Sequence, residues 1–194
     1  MASGKKNSAR VGASLVFIDE SGFLMMPLVR RTWAPRGQPP LFRHRTNSYR
    51  KVSVIAALAV SPARDRVQLF FRLHPQENIN AGKVLSFLKD LSRHFECPLS
   101  LLWDRFMPHR ARCVQRYIAL KKDWRLEFLP AYAPELNPTE NVWCYLKTNS
   151  MANEAIFEDE LLTNSVRRHG LALQRKQSLL RSFLKHTPLF LRLK

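Results

Sequence analysis

Three acidic residues stand where an acid needs a reason. Asp19 follows the apolar run "SLVFI" and Asp104 follows "PLSLLW", so each closes a stretch that reads as a buried strand. A carboxylate there is costly to bury unless it is paired or meets a cation. The plain alternative is that each opens the next turn, where Asp is common. Glu140 is the third: in "NPTEN", Asn137 suits the N-cap, Pro138 the first helical position and Glu140 the third, a capping-box arrangement. The alternative role for Glu140 is that of a metal ligand. If the strands of Asp19 and Asp104 are neighbours, their carboxylates emerge side by side. Three converging acids with no base to neutralise them repel one another, and a divalent metal resolves that. Hard Mg²⁺ takes one or two carboxylates, water and phosphate oxygens, and two such ions about 3.5–4 Å apart clamp both oxygens of a phosphoryl displacement. The chemistry these residue types suit is metal-dependent phosphodiester cleavage.

The elements that would position these acids follow from periodicity. Strands are expected at Ser14–Ser21, Lys51–Val60, Arg66–Leu73, Pro98–Asp104 and Arg125–Pro130, with "SPARD" as a hairpin turn. Residues 22–50, rich in Pro, Arg and Gly, read as a long loop with a hairpin piece. Helical spacing marks Asn80–Phe95, Arg110–Leu120, about Pro138–Ser150 and two C-terminal helices. Three strands followed by alternating helices and strands predict an α/β fold, a mixed five-stranded sheet with helices on its faces and a C-terminal helical extension. That order resembles ribonuclease-H-like nucleases and integrases. The expected organisation is a flexible lead-in over 1–12, a core over 13–150 and a helical extension of the same domain over 151–194. By the period of two, Glu20 points away from Asp19 and is no ligand. Glu135 is expected to brace the proline-rich turn by binding backbone amides.

The formal charge is +17, from 32 Lys and Arg against 15 Asp and Glu, which favours a polyanionic partner, above all nucleic acid. Arg110, Arg112 and Arg116, with Lys121 and Lys122, give one predicted helix a basic face that suits a DNA track. The tail beyond Leu161 is basic too, and its apolar residues Leu179, Leu180, Phe183 and Leu184 suit a helix that meets DNA or a second subunit. The three cysteines are scattered and are expected to be isolated buried thiols in a reducing cytosol. No apolar run is long enough to span a bilayer, so a soluble cytoplasmic protein is expected, associated with the nucleoid and not with membrane.

The segments "FIDESGF", "RRTWAPRGQPP", "SVIAAL", "FRLHP", "LLWDRFMPHR" and "LPAYAPELNPTENVWCYLK" occur in this order. Together they resemble the catalytic domain of bacterial insertion-sequence transposases of the mariner-like superfamily, whose ribonuclease-H-like fold carries an Asp, Asp, Glu triad. The resemblance spans roughly residues 14–190. It implies Asp19, Asp104 and Glu140 as the catalytic and metal-binding triad, with two Mg²⁺ or Mn²⁺ ions. It implies hydrolysis at transposon ends and strand transfer into target DNA. The 35 residues between Asp104 and Glu140 match the family's spacing. His109 falls where the family often has a histidine, which implies a supporting role. Trp33, Pro35, Arg36 and Gly37 match a loop that contacts DNA or a partner subunit. Arg105 stands where the family usually has Asn, a cation beside a metal ligand that either weakens metal binding or grips the phosphate. Double-stranded DNA and a homodimer are the implied partners. Relatives carry an N-terminal helix-turn-helix region, so an upstream helix-turn-helix protein or a frameshift-fused domain is expected. A catalytically inactive DNA-binding remnant is the alternative reading, and a nuclease acting on RNA–DNA hybrids is a third.

Overall fold

The alternation in "SLVFIDESGFL" sends one set of side chains to each face of a sheet. In the computed structural model, which describes residues 12–25, 29–41, 50–154, 156, 159–189, 191 and 193–194, this segment is strand β1 (Ser14–Leu24). The expected lead-in over 1–12 lies outside the described residues, apart from Gly12. β1 pairs antiparallel with β2 (Lys51–Val60), and β2 pairs antiparallel with β3 (Val67–Pro75). On its other side β1 pairs parallel with β4 (Leu99–Trp103), which pairs parallel with β5 (Trp124–Phe128). The order β3-β2-β1-β4-β5 is the mixed five-stranded sheet expected.

Helices cover both faces. Val16, Ile18, Ile55 and Ala57 pack against α1 (Ala81–Leu91) and α2 (Arg112–Ala119) through Val84, Leu88, Val114 and Ile118. Leu15, Phe17, Val54 and Leu58 pack on the other face with α3 (Pro138–Tyr145), α4 (Asp159–Gln174) and α5 (Gln177–Lys185), through Val142, Leu162, Leu173 and Leu180. The apolar face of the C-terminal helix is thereby used inside the chain: Leu180, Phe183 and Leu184 are core residues. It is not a free surface for DNA or a second subunit, because the β3 side of the sheet would otherwise be bare. Two glutamines of this region also dress the β3 edge. Gln174 donates to the Leu69 carbonyl at 2.7 Å, and Gln177 accepts from Val67 N–H at 3.1 Å. They supply backbone-like partners to an edge that would otherwise recruit another strand.

Other expectations change in detail. β1 runs three residues beyond the expected Ser21, because β2 goes on pairing with it as far as Leu24. The helix expected to reach Ser150 is regular only to Tyr145 and then widens into a π turn, Leu146–Ser150. Arg30 satisfies that turn from outside, donating to the Thr148 carbonyl and to Asn149. Cys113 and Cys144 are exposed, not buried, since each lies on the outer side of an amphipathic helix, and Cys97 is half-buried. The described part of the long loop, 29–41, contains no strand, and 26–28 and 42–49 lie outside the described residues. Among the described residues no helix is long and apolar enough to cross a membrane.

Candidate active site

Parallel pairing of β1 with β4 stops at Phe17 opposite Leu102. Two residues further on, β1 reaches Asp19 and the chain leaving β4 reaches Asp104, so the two acids stand level, Asp19 within β1 and Asp104 just past β4. Against the sequence expectation, Asp19 does not end its strand; it lies where the neighbouring β4 has run out, while β2 still pairs with it through Ala56. By alternation Asp19 shares the Phe17 face, which α3 covers.

α3 is tied to that face. Its buried Thr139 donates from Oγ1 to the Phe17 carbonyl at 3.1 Å, and Trp143 donates from Nε1 to Asp19 Oδ2 at 2.8 Å. Thr139→Val keeps the branched shape and drops the donor. It is expected to destabilise the protein by about 1 kcal/mol in urea denaturation, the net worth of one hydrogen bond.

Glu140 lies in the first turn of α3, as expected. Only half of the expected capping arrangement forms. Asn137 accepts from Thr139 N–H at 3.2 Å, but its own N–H is taken by the Pro134 carbonyl at 2.9 Å, which leaves nothing for Glu140 to cap. The exposed Glu140 carboxylate accepts no hydrogen bond from the described residues. The same closure of the Pro134–Leu136 turn on its own carbonyls leaves no amides for Glu135, whose exposed side chain does not brace it as expected.

Asp19 is 7% exposed. Burial pushes its carboxyl up to about 8; the fields of Glu140, Glu20 and Asp104 add to this, and the Trp143 hydrogen bond opposes it. No Lys or Arg side chain among the described residues bonds it.

Asp104 behaves differently. Its side chain is 54% exposed; Oδ1 accepts from Phe106 N–H at 2.9 Å and forms an ion pair with His109 Nδ1 at 2.9 Å, and the same Nδ1 lies 3.4 Å from the Asp104 backbone carbonyl. The His109 bond, helped by the Phe106 amide and opposed by partial burial, holds this carboxyl below its usual value.

His109 is wholly buried, in the short turn Met107–Arg110, and stacks coplanar on Trp103 at 4.2 Å. Its Nε2 donates to Glu20 Oε1 at 2.8 Å. Burial pulls its pKa down, but the two carboxylate bonds outweigh this and raise it to about 9. With an acid facing each ring nitrogen, His109 is an imidazolium. Glu20 is therefore a partner of the site from the opposite face of the sheet.

Three residues near the acids carried no expectation: Trp143, Glu20 as a partner, and Lys147. Half-buried Lys147 donates to Ser21 Oγ at 2.7 Å and lies over the Phe23 ring. Burial lowers its pKa, and Glu140 and Asp19 pull the other way. The signal for Trp143 and Lys147 was helical spacing, since they follow Glu140 by three and seven residues.

Of the expected DNA contacts, Arg105, Arg110, Arg112 and Arg116 are all exposed on the segment leaving Asp104 and on α2. None forms a salt bridge among the described residues. Trp33 is 100% exposed and anchors nothing among the described residues; Arg36 is exposed on the same segment.

The mixed five-stranded sheet flanked by helices is of the ribonuclease-H-like kind, with Asp19 within β1, Asp104 just past β4 and Glu140 in the first turn of α3. The family profile described as DDE superfamily endonuclease matches residues 14–162, and the chain belongs to that family. Among solved structures, the Mos1 transposase paired-end complex with left transposon end superposes with a TM-score of 0.69 at 19% identity, over 96% of this chain and 55% of that one. The Mos1 strand transfer complex gives 0.66 at 19% identity, over 95% and 53%. The Mos1 mariner transposase catalytic domain gives 0.59 at 15% identity, over 95% and 79%. The chain thus spans about half the length of the first of these relatives. At such identities the likeness establishes the fold. No curated protein matches the sequence closely enough to be counted a relative.

Proposed function

We propose that this chain is the catalytic core of a DNA transposase in which Asp19, Asp104 and Glu140 hold two Mg²⁺ or Mn²⁺ ions. The observation that carries the reading is Asp19, a buried acid within the fields of Glu140, Glu20 and Asp104 and without a cationic side chain bonded to it. Among the described residues no three Asp, Glu, His or Cys side chains are already gathered around one point. Asp104 is drawn toward His109 instead. The donor chemistry nonetheless suits hard divalent cations: three carboxylates, with one oxygen of Asp19 anchored by Trp143, one oxygen of Asp104 anchored by His109, and Glu140 uncommitted. Ions bound there supply Lewis acidity for an attacking water or 3′-OH and for the departing oxygen.

The chain's own residues do the rest. Trp143 and His109 hold the carboxylates in fixed orientations, and Thr139 holds the helix bearing Glu140 against β1. The exposed arginines beside Asp104, with Trp33 and Arg36 of the other segment, bind double-stranded DNA. In hydrolysis, water adds to the phosphorus as the bond to the 3′ oxygen breaks, leaving a 3′-OH and a 5′-phosphate at the transposon end. In strand transfer that 3′-OH attacks a target phosphodiester and expels the target's own 3′ oxygen. Relatives bearing on this are Mos1 paired-end complexes with Mn and with Mg. A homodimer, and a helix-turn-helix partner or fused domain, belong to the same proposal.

The test is Mg²⁺- or Mn²⁺-dependent nicking of a duplex carrying inverted repeats from the flanking DNA, with an upstream helix-turn-helix protein supplied. Nicking that disappears in Asp104→Ala is the expected result. DNA binding that ignores the substitution, with no cleavage in either metal, identifies a DNA-binding remnant. Cleavage confined to RNA–DNA hybrids identifies a hybrid nuclease.

A further inference from the structure

Glu20 shares β1 with Asp19 but faces the other side of the sheet, so a direct role at the three acids is closed to it. We propose that Glu20 is a positioning residue for Asp104, acting through His109; the inference rests on the metal-dependent reading above. Asp104 lies one residue past the end of β4 and has no strand partner. Its carboxylate is held at Oδ1 by the Phe106 amide and by an ion pair with His109 Nδ1, each at 2.9 Å, and Nδ1 also faces the Asp104 backbone carbonyl at 3.4 Å. Oδ2 accepts from no described residue and is left to meet a ligand.

What His109 can hold depends on how its own ring is held. The stack on Trp103, at 4.2 Å and 1°, and the edge contact with Phe106 set the plane of the imidazole. A stack does not set which ring edge points where within that plane. The contacts of its two nitrogens do: Nδ1 faces Asp104, 2.9 Å from Oδ1 and 3.4 Å from the backbone carbonyl, and Nε2 bonds Glu20 at 2.8 Å. Without Glu20, Nε2 would be an unpaired donor in a fully buried ring, and a buried donor draws the ring toward any arrangement that satisfies it. The bridge also joins β1 to the segment after β4 just beyond the point where their own pairing stops. It stands in for the missing ladder at the place where Asp19 and Asp104 must keep register. This is how a residue that never touches substrate orients one that does.

Two measurements test the proposal, and one is independent of cleavage. In the metal-free protein, both His109 ring N–H protons are expected as protected downfield resonances in nitrogen-15-resolved NMR. Glu20→Ala should remove the Nε2–H signal and also shift or broaden the Nδ1–H signal that reports the Asp104 contact. Glu20→Gln, which keeps an acceptor, should restore both. If Glu20→Ala does not fold, Glu20→Met, similar in length and without the acceptor, is measured the same way. An unchanged Nδ1–H signal in the acceptor-free variant overturns the proposal.

In cleavage, Glu20→Ala should lower kcat by about 10–100-fold, as for outer-shell partners of metal ligands, with KM for DNA unchanged. Glu20→Gln should recover most of that loss. Glu20→Ala combined with His109→Ala should be no worse than His109→Ala alone. Multiplying losses in the double variant, or a Gln variant as impaired as Ala, overturn the proposal. If the wild-type protein cleaves nothing, the transposase reading fails, while the NMR result still decides the link from Glu20 to Asp104.

Discussion

Asp19→Asn is expected to make the metal-free protein more stable near pH 8 while strongly reducing metal-dependent cleavage. Asp19 is buried, and its carboxyl is pushed up to about 8 by burial and by Glu140, against the Trp143 bond. An unfolded aspartate ionises near 3.9, so near pH 8 the native fold forgoes up to about 5 kcal/mol of ionisation free energy that the unfolded chain enjoys. Asn removes that difference and keeps an oxygen to accept from Trp143 Nε1, which now donates to Asp19 Oδ2 at 2.8 Å. It cannot replace an anionic ligand to a divalent cation. The expected outcome is a higher melting temperature for Asp19→Asn without metal, no further rise on adding Mg²⁺, and cleavage reduced by about a hundred- to a thousandfold, the order of effect for a removed principal electrostatic stabiliser. A variant that lost stability without metal would show that Asp19 is already neutralised by a partner inside the fold, and the metal reading would fall with it.

The second large effect is the pH dependence of stability in the metal-free protein. The folded pKa of Asp19 is raised to about 8. Its contribution is therefore fully present below about pH 4, the unfolded value, and is lost as pH rises through about 8. His109 is also raised, to about 9, by its bonds to Asp104 and Glu20 despite its burial. Its contribution is present below about 6.5 and is lost as pH rises through about 9, a further span of about 3 kcal/mol at most. The two act in the same direction. Asp104 has the opposite sign: held low chiefly by the His109 bond, it contributes above its unfolded value and is lost in acid. Stability without metal should thus peak in mildly acidic solution and fall by several kcal/mol toward pH 9. Added Mg²⁺ should flatten the alkaline fall, because a cation competes with the proton for Asp19 and stabilises the form it binds. Thermal melts across pH, with and without Mg²⁺, check this. A profile flat from about pH 5 to 9 without metal would contradict the buried-acid geometry.

The apolar runs made the strands legible, and the spacing of Val84, Leu88 and Leu91 made α1 legible, because backbone periodicity leaves a local pattern. The prolines of "PELNPTEN" marked a rigid entry to α3, and α3 does begin at Pro138. The capping box was only half right, because the adjoining Pro134–Leu136 turn closes on itself and Pro134 takes the Asn137 amide that Glu140 would have served. The C-terminal apolar residues were legible as a helix face, but what the face packs on was not, since the same stripe suits a core, a duplex-bound helix or a subunit contact.

By itself the sequence determined where the strands and helices lie, though not their ends, that Asp19 and Asp104 follow apolar runs, and that Glu140 falls in the first turn of a helix. Only the tertiary structure decided that β1 and β4 are parallel neighbours, so that the two aspartates stand level. It alone set Trp143 on Asp19 and put one buried imidazolium between Glu20 and Asp104. The physical reason is range. Propensity and periodicity act over a few residues. The bonds that orient these acids join residues 89 and 124 positions apart, and only packing can choose such partners.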